Sequence, residues 1–246
     1  MVRGMRALLV LPLVIAACVS SSSPPAATAN GTVATWIAAP TLPTPRANHC
    51  SAVIDNWVLV IGGNHASGSD FVKTDEIHAA QLAADGTLGP WQLAGKTPSP
   101  VSQCTVTTDG KTLYLIDGLY DDQTDSGQVF SADLDDSGHL GALAPIAQLP
   151  TGTVAISQAA AVRDGALLVM DDLLPDSGDD IITLRTPLPG PAGQASTTWQ
   201  TDHWNIGFHA QSQYVLTDDR AYVIGGYHDP SVGALADVYV APIGAT

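Results

Sequence analysis

Positive charge is scarce in this sequence: 9 Lys and Arg stand against 24 Asp and Glu over 246 residues, a formal charge of −15. A surface so balanced repels phosphate backbones, which sets nucleic-acid binding aside. Cysteines number 3, too few for a scaffold built from disulfides. Charged residues make up only 13% of the chain while 45% is hydrophobic, so general disorder is excluded as well. Aromatic residues stay at 6%. No Gly-x-Ser-x-Gly elbow, Walker loop or His-Glu-x-x-His motif occurs, which removes the commonest hydrolase and nucleotide-binding readings. What is plentiful is turn chemistry: 23 Gly and 17 Pro favour short strands over long helices.

The N-terminus reads as an address. Arg3 and Arg6 precede an apolar run, Ala7–Ala17, of 11 residues, well short of the roughly 20 that a membrane-spanning helix needs. The run ends Val14-Ile15-Ala16-Ala17-Cys18, which resembles a bacterial lipobox. Small side chains flank the bond to be cut, and the Cys18 thiol would carry the diacylglycerol. Residues 1–17 are therefore expected to be a lipoprotein signal peptide, with lipidated Cys18 and a Ser/Pro/Ala tether filling 18–30. Val19 stands where Asp would signal inner-membrane retention. An outer-membrane anchor follows as the expectation, with the domain in the periplasm or at the cell surface. Outside the leader, seven basic residues remain against 24 acidic ones.

Residues 31–246 are dominated by internal repetition. Trp57-Val58-Leu59-Val60-Ile61-Gly62-Gly63 returns as Thr112-Leu113-Tyr114-Leu115-Ile116-Asp117-Gly118. It returns again as Ala166-Leu167-Leu168-Val169-Met170-Asp171-Asp172 and as Ala221-Tyr222-Val223-Ile224-Gly225-Gly226, at intervals of 55, 54 and 54 residues. A second landmark, ending at Trp36, Trp91, Leu143 and Trp199, keeps the same beat at 55, 52 and 56. The apolar runs hold about five residues, bounded by Gly, Asp, Asn or Pro, as strands require. Their continuous apolar character predicts strands buried on both faces, as in the blades of a β-propeller.

With Gly62-Gly63 and Gly225-Gly226 closing a buried strand, Pro45-Arg46 upstream and a tryptophan later in the unit, the chain resembles the kelch-repeat propellers, including their galactose-oxidase-like bacterial branch. The resemblance implies an all-β propeller, and the count of repeat units gives about four blades. Unit 2 departs from the pattern with Asp117, and unit 3 with Asp171 and Asp172. The fourth unit stops before its tryptophan segment, and residues 30–37 supply one, so the N-terminal strand is expected to complete the last blade, the alternatives being a longer propeller completed by another chain or an open arc. The copper site of galactose oxidase is not carried over, because no matching set of tyrosine, histidine and cysteine positions exists.

Chemistry is expected in the segments that follow each buried strand. They bring His65, Asp117, Asp121, Asp122, Asp171, Asp172 and His228 to one rim. That rim either binds a divalent cation or basic ligand, or is a set of solvated acidic loops. No cofactor is otherwise expected. Cys50 and Cys104 hold matching places ahead of two buried strands, and are either an interblade disulfide or two buried thiols. His203, Trp204 and His209 form an aromatic-rich stretch that serves either sugar stacking or packing. Arg46, Arg163, Arg185 and Arg220 fall at unmatched positions of the repeats. The functional expectation is a non-catalytic binding or scaffolding module whose partner is an envelope protein or glycan. The competing readings are a carbohydrate-active or cation-dependent enzyme on the acidic rim, and a structural envelope protein.

Overall fold

The computed structural model describes residues 38–68, 70–116, 118–120, 127–150, 159–172, 181–188, 198–204, 206, 212–217, 219–226 and 233–243. All described strands belong to one compact unit, Ala39–Thr246. Among the described residues there is no helix. Blade 1 pairs β1 (Cys50–Ile54), β2 (Trp57–Ile61), β5 (Glu76–Gln81) and β6 (Gln92–Lys96) in that order, with the hairpin β3 (Asn64–Ser67) and β4 (Asp70–Lys73) inserted after β2. Blade 2 pairs β8 (Thr105–Thr108), β9 (Thr112–Ile116), β11 (Gln128–Asp133) and β12 (Ala144–Gln148). The short strands β7 (Val101–Ser102) and β10 (Leu119–Tyr120) pair with each other at one end of it. Blade 3 pairs β13 (Ala159–Arg163), β14 (Ala166–Asp172), β15 (Ile181–Pro187) and β16 (Gln200–Trp204). Blade 4 has three described strands, β17 (Gln213–Leu216), β18 (Arg220–Ile224) and β19 (Val238–Pro242).

All four sheets are antiparallel meanders, and they form a ring, a four-bladed β-propeller. The innermost strands lie side by side, β1 on β8, β8 on β13 and β13 on β17. Residues of all four surround an axial cavity of about 410 Å³. Because alternate side chains of a strand point to opposite faces, a blade can pack one face against the blade before it and the other against the blade after it. Leu59, Ile61 and Ile77 of blade 1 meet Leu113, Leu115 and Phe130 of blade 2. Tyr114 and Ile116 of blade 2 meet Leu167 and Ile182 of blade 3. Met170 and Ile181 of blade 3 meet Ala221 and Val223 of blade 4. The apolar runs of β2, β9 and β14 are continuous because both faces of those strands are covered.

The double-glycine turn is required by its surroundings. Gly62 has φ +58°, and a Cβ there would lie 2.3 Å from the Val101 carbonyl oxygen. The turn is capped by Arg46, whose side chain is wholly buried. Its guanidinium donates to the carbonyls of Gly62 (3.1 Å) and Glu76 (3.4 Å) and to the Glu76 carboxylate (3.3 Å). It also approaches His78 Nδ1 at 3.4 Å. Burial, then the Arg46 charge, push the His78 imidazole below its ordinary pKa against an opposing pull from Glu76. A neutral ring with its proton on Nε2 can accept from Arg46. In blade 4 the Ser212 hydroxyl takes the equivalent post, donating to the Gly225 carbonyl at 3.1 Å.

One repeat tryptophan ties two blades together, and another makes a similar bond to the segment ahead of blade 1. Trp199 Nε1 donates to the carbonyl of Gln148, the last residue of β12 in the preceding blade, at 2.6 Å. Trp91 Nε1 donates to the Pro40 carbonyl at 2.9 Å across the same sequence distance of 51 residues. The expected closing segment, residues 30–37, lies outside the described residues, as do the leader, Cys18 and the tether.

Candidate functional site

The expected rim is only partly on view. Asp117, Asp121, Asp122 and His228 lie outside the described residues. Asp171 and Asp172, expected in a loop, instead extend β14 and pair with Ile182 and Ile181 of β15. Asp171 is fully buried within the sheet, which corrects its assignment to an exposed ligand surface. His65 lies in hairpin strand β3, half-buried, with Nδ1 enclosed and without a hydrogen-bond partner. Among the described residues, no three His, Cys, Asp or Glu side chains come together as a metal site would require.

Cys50 and Cys104 form a disulfide with a Cα separation of 5.8 Å. Their places do not match, contrary to the sequence expectation. Cys50 pairs with Ile61, and the residue that pairs with Ile116 in the same way is Thr105. Cys104 is therefore one position early. That offset is what lets the bridge form. Equivalent residues point the same way around the ring, whereas a one-residue shift turns one side chain toward its neighbour. Cys50 and Cys104 accordingly enter the same cluster from opposite sides. The axial cavity beside them is lined by neutral side chains such as Ser51, Thr105 and Ala159.

A different surface draws charged groups together. Between blades 3 and 4 lies a cavity of about 310 Å³. Sheet register explains its polarity. Thr183 pairs with Met170 as Ile77 pairs with Ile61 and as Val129 pairs with Ile116. Arg185 pairs with Leu168 as Ala79 pairs with Leu59 and Ser131 with Tyr114. Positions that bury apolar or small side chains in blades 1 and 2 thus carry a hydroxyl and a guanidinium in blade 3. On the same face β16 presents Gln200, Asp202 and Trp204 at alternate positions, and Arg163 closes β13.

The indole is fixed by its own hydrogen bond, Trp204 Nε1 to Thr183 Oγ1 at 2.7 Å. Trp204 separates the polar cavity from a second, apolar one of about 240 Å³ lined by Met170, Ile181 and Val223. The opposing wall of the polar cavity is blade 4's Leu216, Ala221, Pro242 and Ile243. The cavity reaches Arg163 and Asp164 at the turn joining β13 to β14. That is the end of the ring opposite the segments after β2, β9, β14 and β18. The sequence named Arg163, Arg185 and Trp204 without joining them. The signal that joins them is the repeat itself, once strand pairing aligns Arg185 with Ala79.

A guanidinium pair, two carboxylates, the His203 imidazole, an amide and an indole around one small space can hold a ligand by several hydrogen bonds and a ring contact. Fold and cleft define a class: a four-bladed β-propeller with an interblade pocket, polar on one wall and apolar on the other. No protein-family model matches the chain, and no curated protein matches it.

Proposed function

We propose that the chain is a lipid-anchored, extracytoplasmic, kelch-like propeller that acts as a non-catalytic binding module, with its ligand pocket between blades 3 and 4. One observation carries this reading. Arg185 and Thr183 occupy positions that the repeat elsewhere fills with Ala79 or Ser131 and with Ile77 or Val129. Partly burying a guanidinium where a small side chain suffices works against folding, and such departures concentrate at functional sites. The anchor reading rests on Arg3, Arg6, the apolar run and Cys18. The kelch reading rests on Gly62-Gly63, Gly225-Gly226 and the buried Arg46 beneath the turn.

The test immobilises the full chain in lipid nanodiscs and exposes it to panels of glycans, small metabolites and envelope extracts, with chromogenic glycosides run in parallel. Saturable binding without turnover is expected, weakened by Arg185→Gln. Steady turnover of any glycoside would replace the reading with an enzymatic one. Metabolic lipid labelling should mark the wild-type chain and leave Cys18→Ala unlabelled, with the precursor accumulating under globomycin. Labelling that survives Cys18→Ala would remove the anchor.

A further inference from the structure

We infer that the pocket between blades 3 and 4 takes a small organic monocarboxylate with an apolar body, such as an aromatic acid. This rests on the reading of that pocket as a binding site and specifies its ligand. The two walls differ in kind. Blade 3 contributes Arg163, Arg185, Gln200 and Asp202, whereas blade 4 contributes only apolar side chains, Leu216 and Ile243 among them. A ligand matching both walls needs a hydrogen-bonding group on one side and a hydrocarbon surface on the other.

The charge of that group follows from the arginines. Seven basic residues lie outside the leader, and two of them line this one cavity. A guanidinium offers five donors in a planar fork that matches a carboxylate. Asp164 and Asp202 share the lining, and the chain carries −15 overall. Both disfavour multiply charged anions such as phosphate esters and leave a monoanion as the best fit. The apolar body has a ring to meet, because the hydrogen bond to Thr183 holds the Trp204 indole in the lining of the cavity. At about 310 Å³ the space is at the small end for ligand pockets, which limits the occupant to a compact molecule.

The experiment titrates 2-naphthoate into the full chain in nanodiscs, subtracting protein-free discs, and follows tryptophan fluorescence and the melting temperature. Naphthalene-2-methanol supplies the same body without charge, and galacturonate supplies the charge on a polar body. Saturable naphthoate binding is expected, at least tenfold tighter than either control. Arg185→Gln and Arg163→Gln should each weaken it about tenfold. Gln200→Glu, an exposed position that leaves packing untouched, should weaken it about fivefold by repulsion.

Absence of saturation, or equal binding of the neutral alcohol, would overturn the inference. Tighter, arginine-dependent binding of galacturonate would also overturn it while leaving the binding-pocket reading intact. Glycoside turnover would instead sink that reading, whatever naphthoate does.

Discussion

The first two blades and the last two are built from one repeat, yet their seams are unlike. Between blades 1 and 2 everything fits closely. The Trp57 ring lies over Gly138, where a Cβ would sit 2.7 Å from it. Leu140 N–H donates to the Ala94 carbonyl at 2.9 Å, Gln92 donates to Ser137 at 2.7 Å, and the Cys50–Cys104 bridge spans the gap. Between blades 3 and 4 two cavities flank Trp204, and arginine takes the place of alanine. The outer half of blade 4 goes further. Ile224, Val238 and Val240, on the face turned away from blade 3, are 41%, 61% and 57% exposed, while their counterparts Ile61, Ile77 and Ala79 are all 0%. Strand pairing within each blade is conserved around the ring, and packing between blades is not. In repeat folds, intrinsic stability and interface stability are separable terms. A loosened interface can therefore host a ligand without costing the blade its sheet.

The sharpest way to break this comparison is to exchange the two residues that define it. Ala79→Arg puts a charge into the closed seam, where nothing compensates it, and should cost more than about 4 kcal/mol, enough to prevent folding. Arg185→Ala at the matching place should change stability by less than about 1 kcal/mol, because the half-buried side chain borders a cavity and not a close-packed seam. Denaturant melts of both variants decide it. Similar losses would mean that the two seams are equally packed.

The turn glycines give the next largest contrast. Gly62→Ala combines a left-handed backbone with the Val101 carbonyl in its path, and should cost about 3–5 kcal/mol. Gly225 has nearly the same φ, +63°, but its nearest atom is the Leu235 carbonyl oxygen at 3.4 Å. Gly225→Ala should therefore cost only the backbone strain, about 1–2 kcal/mol. Equal costs would show that the neighbouring blade does not press on the turn.

Removing the bridge sharpens the same point. Cys50→Ala with Cys104→Ala opens a loop of 54 residues of sequence separation and should lower stability by about 2–5 kcal/mol. Hydrogen exchange locates the loss. Amides of β2 and β9 should exchange faster, while those of β14 and β18 stay as they were. Uniform acceleration would make the ring a single cooperative unit and erase the distinction between its halves.

Much of this architecture is readable in the sequence. Five-residue apolar runs at a period near 55 can only be buried strands of stacked sheets, and turn glycines mark where each run ends. Side-chain direction is what stays hidden. A one-residue offset between Cys50 and Cys104 looks like a match in the sequence and becomes meaningful only once Thr105 is seen opposite Ile116. Asp171 and Asp172 read as loop because acidic residues favour turns. Pairing with β15 overrode that local preference. The acidic segments drew attention through abundance. The pocket depends instead on single substitutions within strands, and those stand out only against a correctly registered repeat.

The smallest effect tests whether polar groups at a closed seam are self-contained. Tyr114 of blade 2 is the counterpart of Leu168 in the arginine-bearing blade. Its hydroxyl donates to Asp109 at 3.0 Å, and Asp109 also accepts from the backbone N–H groups of Lys111 (3.1 Å) and Thr112 (2.9 Å). Burial, then Asp109, push the Tyr114 hydroxyl up to about 12. Burial also pushes Asp109 up, but the Thr112, Lys111 and Tyr114 donors outweigh it and hold the carboxyl below its ordinary value. The signs then separate. A phenol with a raised folded pKa adds stability below its unfolded pKa of about 10, and that contribution disappears as pH climbs through about 12. A carboxyl with a depressed folded pKa adds stability above about 4, and loses it as pH falls through the folded value. Tyr114→Phe keeps the ring and should cost about 1–2 kcal/mol at neutral pH. It should flatten the alkaline limb of a stability–pH profile and shift the acid limb upward, since Asp109 loses one donor. An unchanged alkaline limb would show that Tyr114 reaches solvent at this seam, and that blades 2 and 3 are as loosely joined as blades 3 and 4.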